Sequence, residues 1–199
     1  MRPIKNVVVY CGAHDGKHPD YLQSAEDLGK VLLQENIGLV YGSGKAGLMG
    51  RVAKTVHEGG GNVVGIISKH LHAEVHDGYG ETVITETMHE RKHMMAEKVD
   101  AFIALPGGFG TMEELLEIIT WYQLNLHKKP IGLLNVNNYY DKFLDWIQNS
   151  KDEGFISPSI NFFVSDSNPK ELLKKMKEKD NSEEKLLPSP KPCKIKKTT

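Results

Sequence analysis

Ala101-Phe-Ile-Ala-Leu-Pro-Gly-Gly-Phe-Gly-Thr-Met-Glu-Glu-Leu-Leu-Glu117 puts an apolar strand, a glycine turn and a helix start into one continuous stretch. Ala101 to Leu105 is a short apolar run suited to a strand covered on both faces, and Pro106-Gly107-Gly108 ends it abruptly. Gly107, Gly108 and Gly110 open backbone angles closed to other residues and let a ligand approach the main chain. Thr111 stands where it can cap a helix carrying Leu115, Leu116, Ile118 and Ile119, expected to run to about residue 126. The unpaired amides and the helix dipole at such a turn both favour an anion. The same letters carry a purely structural reading. Thr111-Met-Glu-Glu114 is a capping box, which alone is worth about 1 kcal/mol of helix stability. Both readings stand at this point.

Working outward, the strand, glycine turn and helix pattern recurs. Asn6-Val-Val-Val-Tyr10 is apolar and β-branched, Cys11 to Gly16 turns, and Pro19 occupies a first helical position. The helix expected over about 19–35 places Leu22, Ala25, Leu28, Val31 and Leu32 on one face. Ile37 to Tyr41 is a second buried strand, followed by Gly42-Ser-Gly-Lys-Ala-Gly47 and a helix through Val52, Ala53 and Val56. A strand over 62–67 leads to residues 69–81, which show no period and read as a loop. A short strand over 82–85 precedes a helix starting near Met88. Beyond the central stretch come a strand over 130–135, an amphipathic helix over 139–150 and a strand over 162–164, and Asn168-Pro169 opens a final helix. Strands alternating with helices, without hairpin signals, predict an α/β chain with a Rossmann-like, doubly wound parallel sheet. We expect one domain over residues 1–179 and a disordered Lys- and Pro-rich tail over 180–199.

A chain of 199 residues with 39% hydrophobic content is long enough for one such domain and its core. A formal net charge of −1 gives no general electrostatic case for nucleic acid or an anionic membrane, so anion binding has to be local. The two cysteines, Cys11 and Cys193, argue against a disulfide framework. No run approaches the roughly 18–20 apolar residues of a membrane span, and a cytoplasmic protein is expected.

Several motifs compete for the chemistry. Gly42-x-Gly44-x-x-Gly47 matches a dinucleotide fingerprint, but the next strand ends in Ser68-Lys69 instead of the acidic residue that would hold a ribose 2′-hydroxyl. Lys45 precedes Gly47, so the loop is not of Walker type, and phosphate contact without a dinucleotide remains. His70, His72 and His76 lack the spacing of a structural zinc site. His89-Glu90-x-x-His93 is a literal zinc-protease pattern, but no third ligand follows it, and Arg91 and Lys92 would set two cations beside the metal. Arg91 reads better as an anion-binding residue, because its planar fork donates parallel hydrogen bonds to phosphate or carboxylate.

Three glycine turns after buried strands converge on the carboxyl edge of one parallel sheet, where such folds bind ligands. With them in place, Pro106-Gly-Gly-Phe-Gly-Thr-Met-Glu-Glu114 resembles the PGGxGTxxE motif of the LONELY GUY family. These are cytokinin riboside 5′-monophosphate phosphoribohydrolases, formerly described as lysine decarboxylases. Met88-His-Glu-Arg-Lys92 resembles the family's second signature, Tyr41 to Gly50 resembles its glycine-rich loop, and matching character extends over about residues 6–178. Ala13-His14-Asp15 departs from the Ser-rich turn usual in the family, and Ser43 stands where a third glycine is common.

The resemblance implies hydrolysis of the N-glycosidic bond between an N6-substituted adenine and ribose 5′-phosphate. Glu114 is then the candidate for stabilising the ribosyl cation or activating water, and Arg91 for orientation and charge stabilisation. Gly107, Gly108, Phe109, Gly110 and Thr111 would hold the 5′-phosphate, with Gly42 and Gly44 on the neighbouring loop. Lys92 would line the same pocket, and Met88 and Met95 would face the base. No cofactor and no metal is implied. The partners are a small-molecule nucleotide 5′-monophosphate and a second copy in a homodimer, with no nucleic acid or membrane. Glu114→Gln, still able to serve a capping box, is expected to keep stability and lose hydrolysis, with Glu113→Gln as a mild control. The alternative is a non-hydrolytic carrier of a nucleotide or phosphorylated cofactor on the same fold.

Overall fold

The computed structural model describes residues 3–75, 78–159 and 161–179. Its strands are β1 (Asn6–Tyr10), β2 (Gly38–Tyr41), β3 (Val63–Ser68), β4 (Glu81–Thr85), β5 (Ala101–Ala104), β6 (Ile131–Leu134) and β7 (Val164–Asp166). The α-helices among the described residues are α1 (Pro19–Gln34), α2 (Gly47–Glu58), α3 (Lys69–Val75), α4 (Met88–Glu97), α5 (Phe109–Gln123), α6 (Asp141–Asp152) and α7 (Pro169–Glu178). All strand pairs are parallel in one sheet of order β4-β3-β2-β1-β5-β6-β7. This is the expected doubly wound α/β architecture in a single domain. The chain builds outward from β1 through β4, then returns to lay β5 against the other side of β1. The order therefore reverses between β1 and β5, and the crevice beyond their carboxyl ends is where such sheets take ligands.

Alternation along β1 supplies both halves of the core, since successive side chains point to opposite faces. Val7, Val9 and Cys11 pack with Leu28 and Leu32 of α1, Val52 of α2 and Leu172 of α7. Val8 and Tyr10 pack with Met95 of α4 and Leu115, Ile118 and Tyr122 of α5 on the other face. Leu28, Leu32 and Leu115 are fully buried, each worth about 2 kcal/mol in area removed from water.

Several boundaries differ from expectation, each for a local reason. Residues 69–75 form α3 where a loop was expected, because one helical turn or two is too short to display a period. His76 lies outside the described residues, as does the tail from Asp180. The last strand forms over Val164–Asp166 by pairing with β6, while Phe162 is buried in the core just ahead of it. Helix α5 begins at Phe109, two residues before Thr111, and ends at Gln123, with Asn125 in the left-handed region at φ 58°.

Candidate active site

The loops after β1 and β5 and the starts of α2, α4 and α5 enclose a cleft of about 530 Å³. Gly12, Ala13, His14 and Asp15 form one wall, and Gly107, Gly108, Gly110 and Thr111 form an adjoining one, the two loops being tied by the Gly12 amide on the Pro106 carbonyl at 3.0 Å. Leu48, Met49 and Met88 supply an apolar end, Arg91 and Glu114 a charged floor, and Tyr21 and Tyr139 an aromatic rim.

Arg91 is placed by the start of α4. The Thr87 hydroxyl accepts from the Glu90 amide at 3.1 Å, and the Glu90 carboxylate accepts from the Glu86 amide at 2.9 Å. A Thr-x-x-Glu cap is thus made at Thr87 and Glu90, while α5 has Gly108 at its N-cap and no side-chain cap. Thr111 lies inside the first turn of α5, so Glu114 is released from capping. Its carboxylate turns instead to Arg91, whose Nη1 donates to Oε1 at 2.8 Å. Arg91 Nε donates to the Ile66 carbonyl of β3, 2.9 Å away. A Cβ at Gly42 would stand 2.6 Å from Arg91 Nη2, so Gly42 allows the guanidinium to lie flat under the second loop.

Arg91 is 6% exposed, and the Glu114 side chain is 13% exposed. Burial pushes the Glu114 carboxyl above its ordinary value, with the opposing pull of Arg91 not enough to cancel it. The Tyr10 hydroxyl is raised by burial and then by the Glu114 charge. Next to Arg91 on α4, Lys92 Nζ meets Glu113 Oε1 at 2.5 Å and Glu117 Oε1 at 3.0 Å, on either side of Glu114 along α5. Burial opposes the charge on Lys92, but the bonds to Glu113 and Glu117 together lift its ammonium above the ordinary value. Three ion pairs, made by the adjacent cations Arg91 and Lys92, therefore join α4 to α5.

The wall at the start of α5 is suited to an anion. The first amides of a helix have no acceptor within it, and the dipole leaves partial positive charge there. Beyond Gly108, the ladder of α5 starts with the Met112 amide donating to the Gly108 carbonyl at 3.1 Å. A methyl group on Gly108 or Gly110 would meet no protein atom within 4 Å, so both positions are open. Gly108, Gly110 and Thr111 all line the cleft.

Of the residues singled out in the sequence, Arg91, Glu114, Met88, Gly107, Gly108, Gly110 and Thr111 meet in this cleft. Met95 is 0% exposed and packs in the core with Val8, Tyr10 and Phe102, because it sits one turn beyond Arg91 on the same face of α4, deeper along the helix than the cleft lining reaches. Lys92 is held by Glu113 and Glu117 and is not among the lining residues. Phe109 is 97% exposed and lies outside the cleft. Gly42 and Gly44 act from behind, beneath Arg91 and Met49, where the Gly44 amide reaches Met49 Sδ at 3.2 Å. Glu113, the position of the mild control, is 56% exposed in its side chain, pairs with Lys92 and lines the cleft. His89 and His93 are exposed, and His93 pairs with Glu97 at 3.3 Å. Among the described residues, no three His, Cys, Asp or Glu side chains are grouped to hold a metal. The sequence reading missed His14, Asp15, Leu48, Met49 and Tyr139. The first four follow glycine turns that were already visible, whereas nothing local signals Tyr139.

The family described as "Possible lysine decarboxylase" matches residues 49–176. The chain is 50% identical over 178 residues to a cytokinin riboside 5′-monophosphate phosphoribohydrolase of Arabidopsis thaliana, covering 88% of this chain and 82% of that protein. It is 48% identical over 178 residues to a cytokinin riboside 5′-monophosphate phosphoribohydrolase of Oryza sativa subsp. japonica, covering 88% of this chain and 74% of that one. Among solved structures, the molybdenum cofactor binding protein of Rippkaea orientalis superposes with a TM-score of 0.65 at 20% identity, over 89% of this chain and 97% of that one. The molybdenum cofactor carrier protein of Chlamydomonas reinhardtii gives 0.63 at 19% identity, over 87% and 96%. At that identity the two structures share the fold.

Proposed function

The chain belongs to the family of cytokinin riboside 5′-monophosphate phosphoribohydrolases, and from that membership we propose that it hydrolyses the N-glycosidic bond of N6-substituted adenosine 5′-monophosphates, releasing the free base and ribose 5-phosphate. The observation that carries the reading at residue level is the buried Arg91–Glu114 pair, 2.8 Å apart on the floor of a cleft walled by an open helix N-terminus.

In this reading the 5′-phosphate sits on the first-turn amides of α5, at the open positions of Gly108 and Gly110 and beside Thr111. The ribose then lies over the Arg91–Glu114 floor, and the base lies toward Met88, Leu48 and Met49. A water oxygen bonds C1′ as the bond from C1′ to the base nitrogen breaks, and the bond's electron pair leaves with the base, which takes up a proton. Positive charge builds on the ribosyl carbon, and the Glu114 carboxylate is close enough to stabilise it or to take the proton from water. A carboxyl raised by burial is a better base than an ordinary glutamate. Arg91 holds Glu114 in place and contributes orientation. Because Glu114 is bonded to Arg91, it does not compete with phosphate for the α5 amides.

No cofactor, nucleic acid or membrane enters this scheme, and no helix among the described residues is long and apolar enough to cross a membrane. A homodimer and a cytoplasmic location complete the proposal, the dimer on the strength of the family resemblance. The test is incubation with AMP and with N6-isopentenyl AMP, followed by chromatography for free base. Release from the N6-substituted nucleotide is expected, and no base from either substrate would favour a carrier.

A further inference from the structure

We infer that Tyr139 and Tyr140, on the turn that follows β6, are positioning residues for the 5′-phosphate. Their hydroxyls hold the Leu105 and Gly107 carbonyls and so set the direction of the amides that open α5. The inference rests on the reading that the cleft takes a nucleotide 5′-monophosphate.

Three consecutive carbonyls of the β5–α5 turn are each held by a different part of the chain. The Tyr140 hydroxyl donates to the Leu105 carbonyl at 2.6 Å, the Gly12 amide to the Pro106 carbonyl at 3.0 Å, and the Tyr139 hydroxyl to the Gly107 carbonyl at 2.5 Å. In a trans peptide the carbonyl and the following N–H point in opposite directions. Fixing the Gly107 carbonyl on Tyr139 therefore fixes the Gly108 N–H on the far side of that peptide. Without the two hydroxyls, the three carbonyls keep only the Gly12 bond among the described residues, and glycines at 107 and 108 leave the peptides of the turn free to rotate.

The turn that carries the tyrosines is itself tightly held. The Asn135 side chain accepts from the Tyr140 amide at 2.7 Å and donates to Asp141 at 2.8 Å. Asn137 and Asn138 both take left-handed backbone angles, φ 50° and 57°, which Asn tolerates better than most residues. Asn137 also ties the turn to α1 by donating to Asp20 at 3.0 Å. Tyr140 is buried, and burial pushes its hydroxyl well above the ordinary value, so it remains a donor. Tyr139 is 43% exposed, so its hydrogen bond contributes little to net stability in water and its use is positional.

Tyr139→Phe in the full chain removes only the hydroxyl. We expect the KM for N6-isopentenyl AMP and the Kd for AMP to rise about fivefold to tenfold, the yield of one lost positioning hydrogen bond. We also expect kcat within about twofold, unchanged affinity for adenine, and an unchanged Tm. Tyr140→Phe should shift AMP affinity in the same direction and lower Tm as well, because it orphans a buried carbonyl. Wild-type AMP affinity in Tyr139→Phe overturns the inference, and so does an equal loss for AMP and adenine, which would mark a direct contact with the base. If the wild-type protein binds AMP but releases no base, the hydrolase reading fails while the AMP comparison still decides this inference. Absence of AMP binding in the wild type overturns both.

Discussion

Arg91 on α4 and Glu114 on α5, twenty-three positions apart in the chain, meet at 2.8 Å in a site where each is nearly closed to solvent. The pair works as one unit. Arg91 is anchored on its other side to the Ile66 carbonyl at 2.9 Å, so the guanidinium is fixed before any ligand arrives. A buried pair of this kind contributes little net stability, because desolvation offsets most of the attraction, but it fixes two charged groups in a single geometry. The adjacent Lys92 contacts to Glu113 and Glu117 keep α4 and α5 from sliding past each other.

The raised Glu114 carboxyl has opposite consequences for rate and for stability. If hydrolysis needs the carboxylate, the acid limb of kcat/KM falls at a pH above the ordinary 4.5. A carboxyl raised in the folded state binds its proton more tightly there than in the unfolded chain. Its contribution to stability is therefore full below the unfolded value and lost as pH rises through the folded one. The melting temperature of Glu114→Gln relative to that of wild type should accordingly rise toward neutral pH. A limb at or below 4.5 would rule out Glu114 as the titrating group.

Two glycines of the same loop separate packing from binding. A Cβ on Gly107 would collide with the Thr111 side chain and stand 2.8 Å from the Gly12 amide, so Gly107→Ala should lower stability by about 2 kcal/mol or more. Gly110 lies within α5 and its Cβ would meet no protein atom, so Gly110→Ala should raise stability by about 0.5–1 kcal/mol. Its methyl would occupy the space assigned to phosphate, and AMP affinity should fall. Denaturant melts with AMP titrations check both, and a Gly110→Ala protein that binds AMP as wild type would move the phosphate elsewhere.

The fold was legible because its evidence is local. Each buried strand announces itself by an apolar run such as Val7 to Val9 or Ala101 to Ala104. The capping box was misplaced for the same reason. Thr87-x-x-Glu90 and Thr111-x-x-Glu114 carry the same pattern, and what decides between them is Arg91, twenty-three residues away, claiming Glu114. Met95 was given to the base on the family resemblance, but it lies one turn beyond Arg91 and packs in the core. Tyr139 was invisible because its importance lies in a contact with Gly107 across two parallel strands.

Ser43 offers a test of stability outside the chemistry. It is buried on the loop after β2 with φ 68°, a left-handed angle that costs a residue with a Cβ but not glycine. Ser43→Gly should stabilise the protein by about 0.5–1 kcal/mol in equilibrium denaturation. A destabilised variant would mean that Ser43 packing against Gly65 outweighs the backbone strain.

The central claim is tested most directly by measuring free base released from N6-isopentenyl AMP by wild type and by Glu114→Gln side by side, with the Tm of each. The glutamine can still accept from Arg91 through its amide oxygen, so the variant should stay folded, with any loss in Tm set by the Arg91 charge left uncompensated. The account predicts base release by the wild type and a loss of at least about a hundredfold in the folded variant. A Glu114→Gln protein that is folded and releases base at the wild-type rate would contradict it.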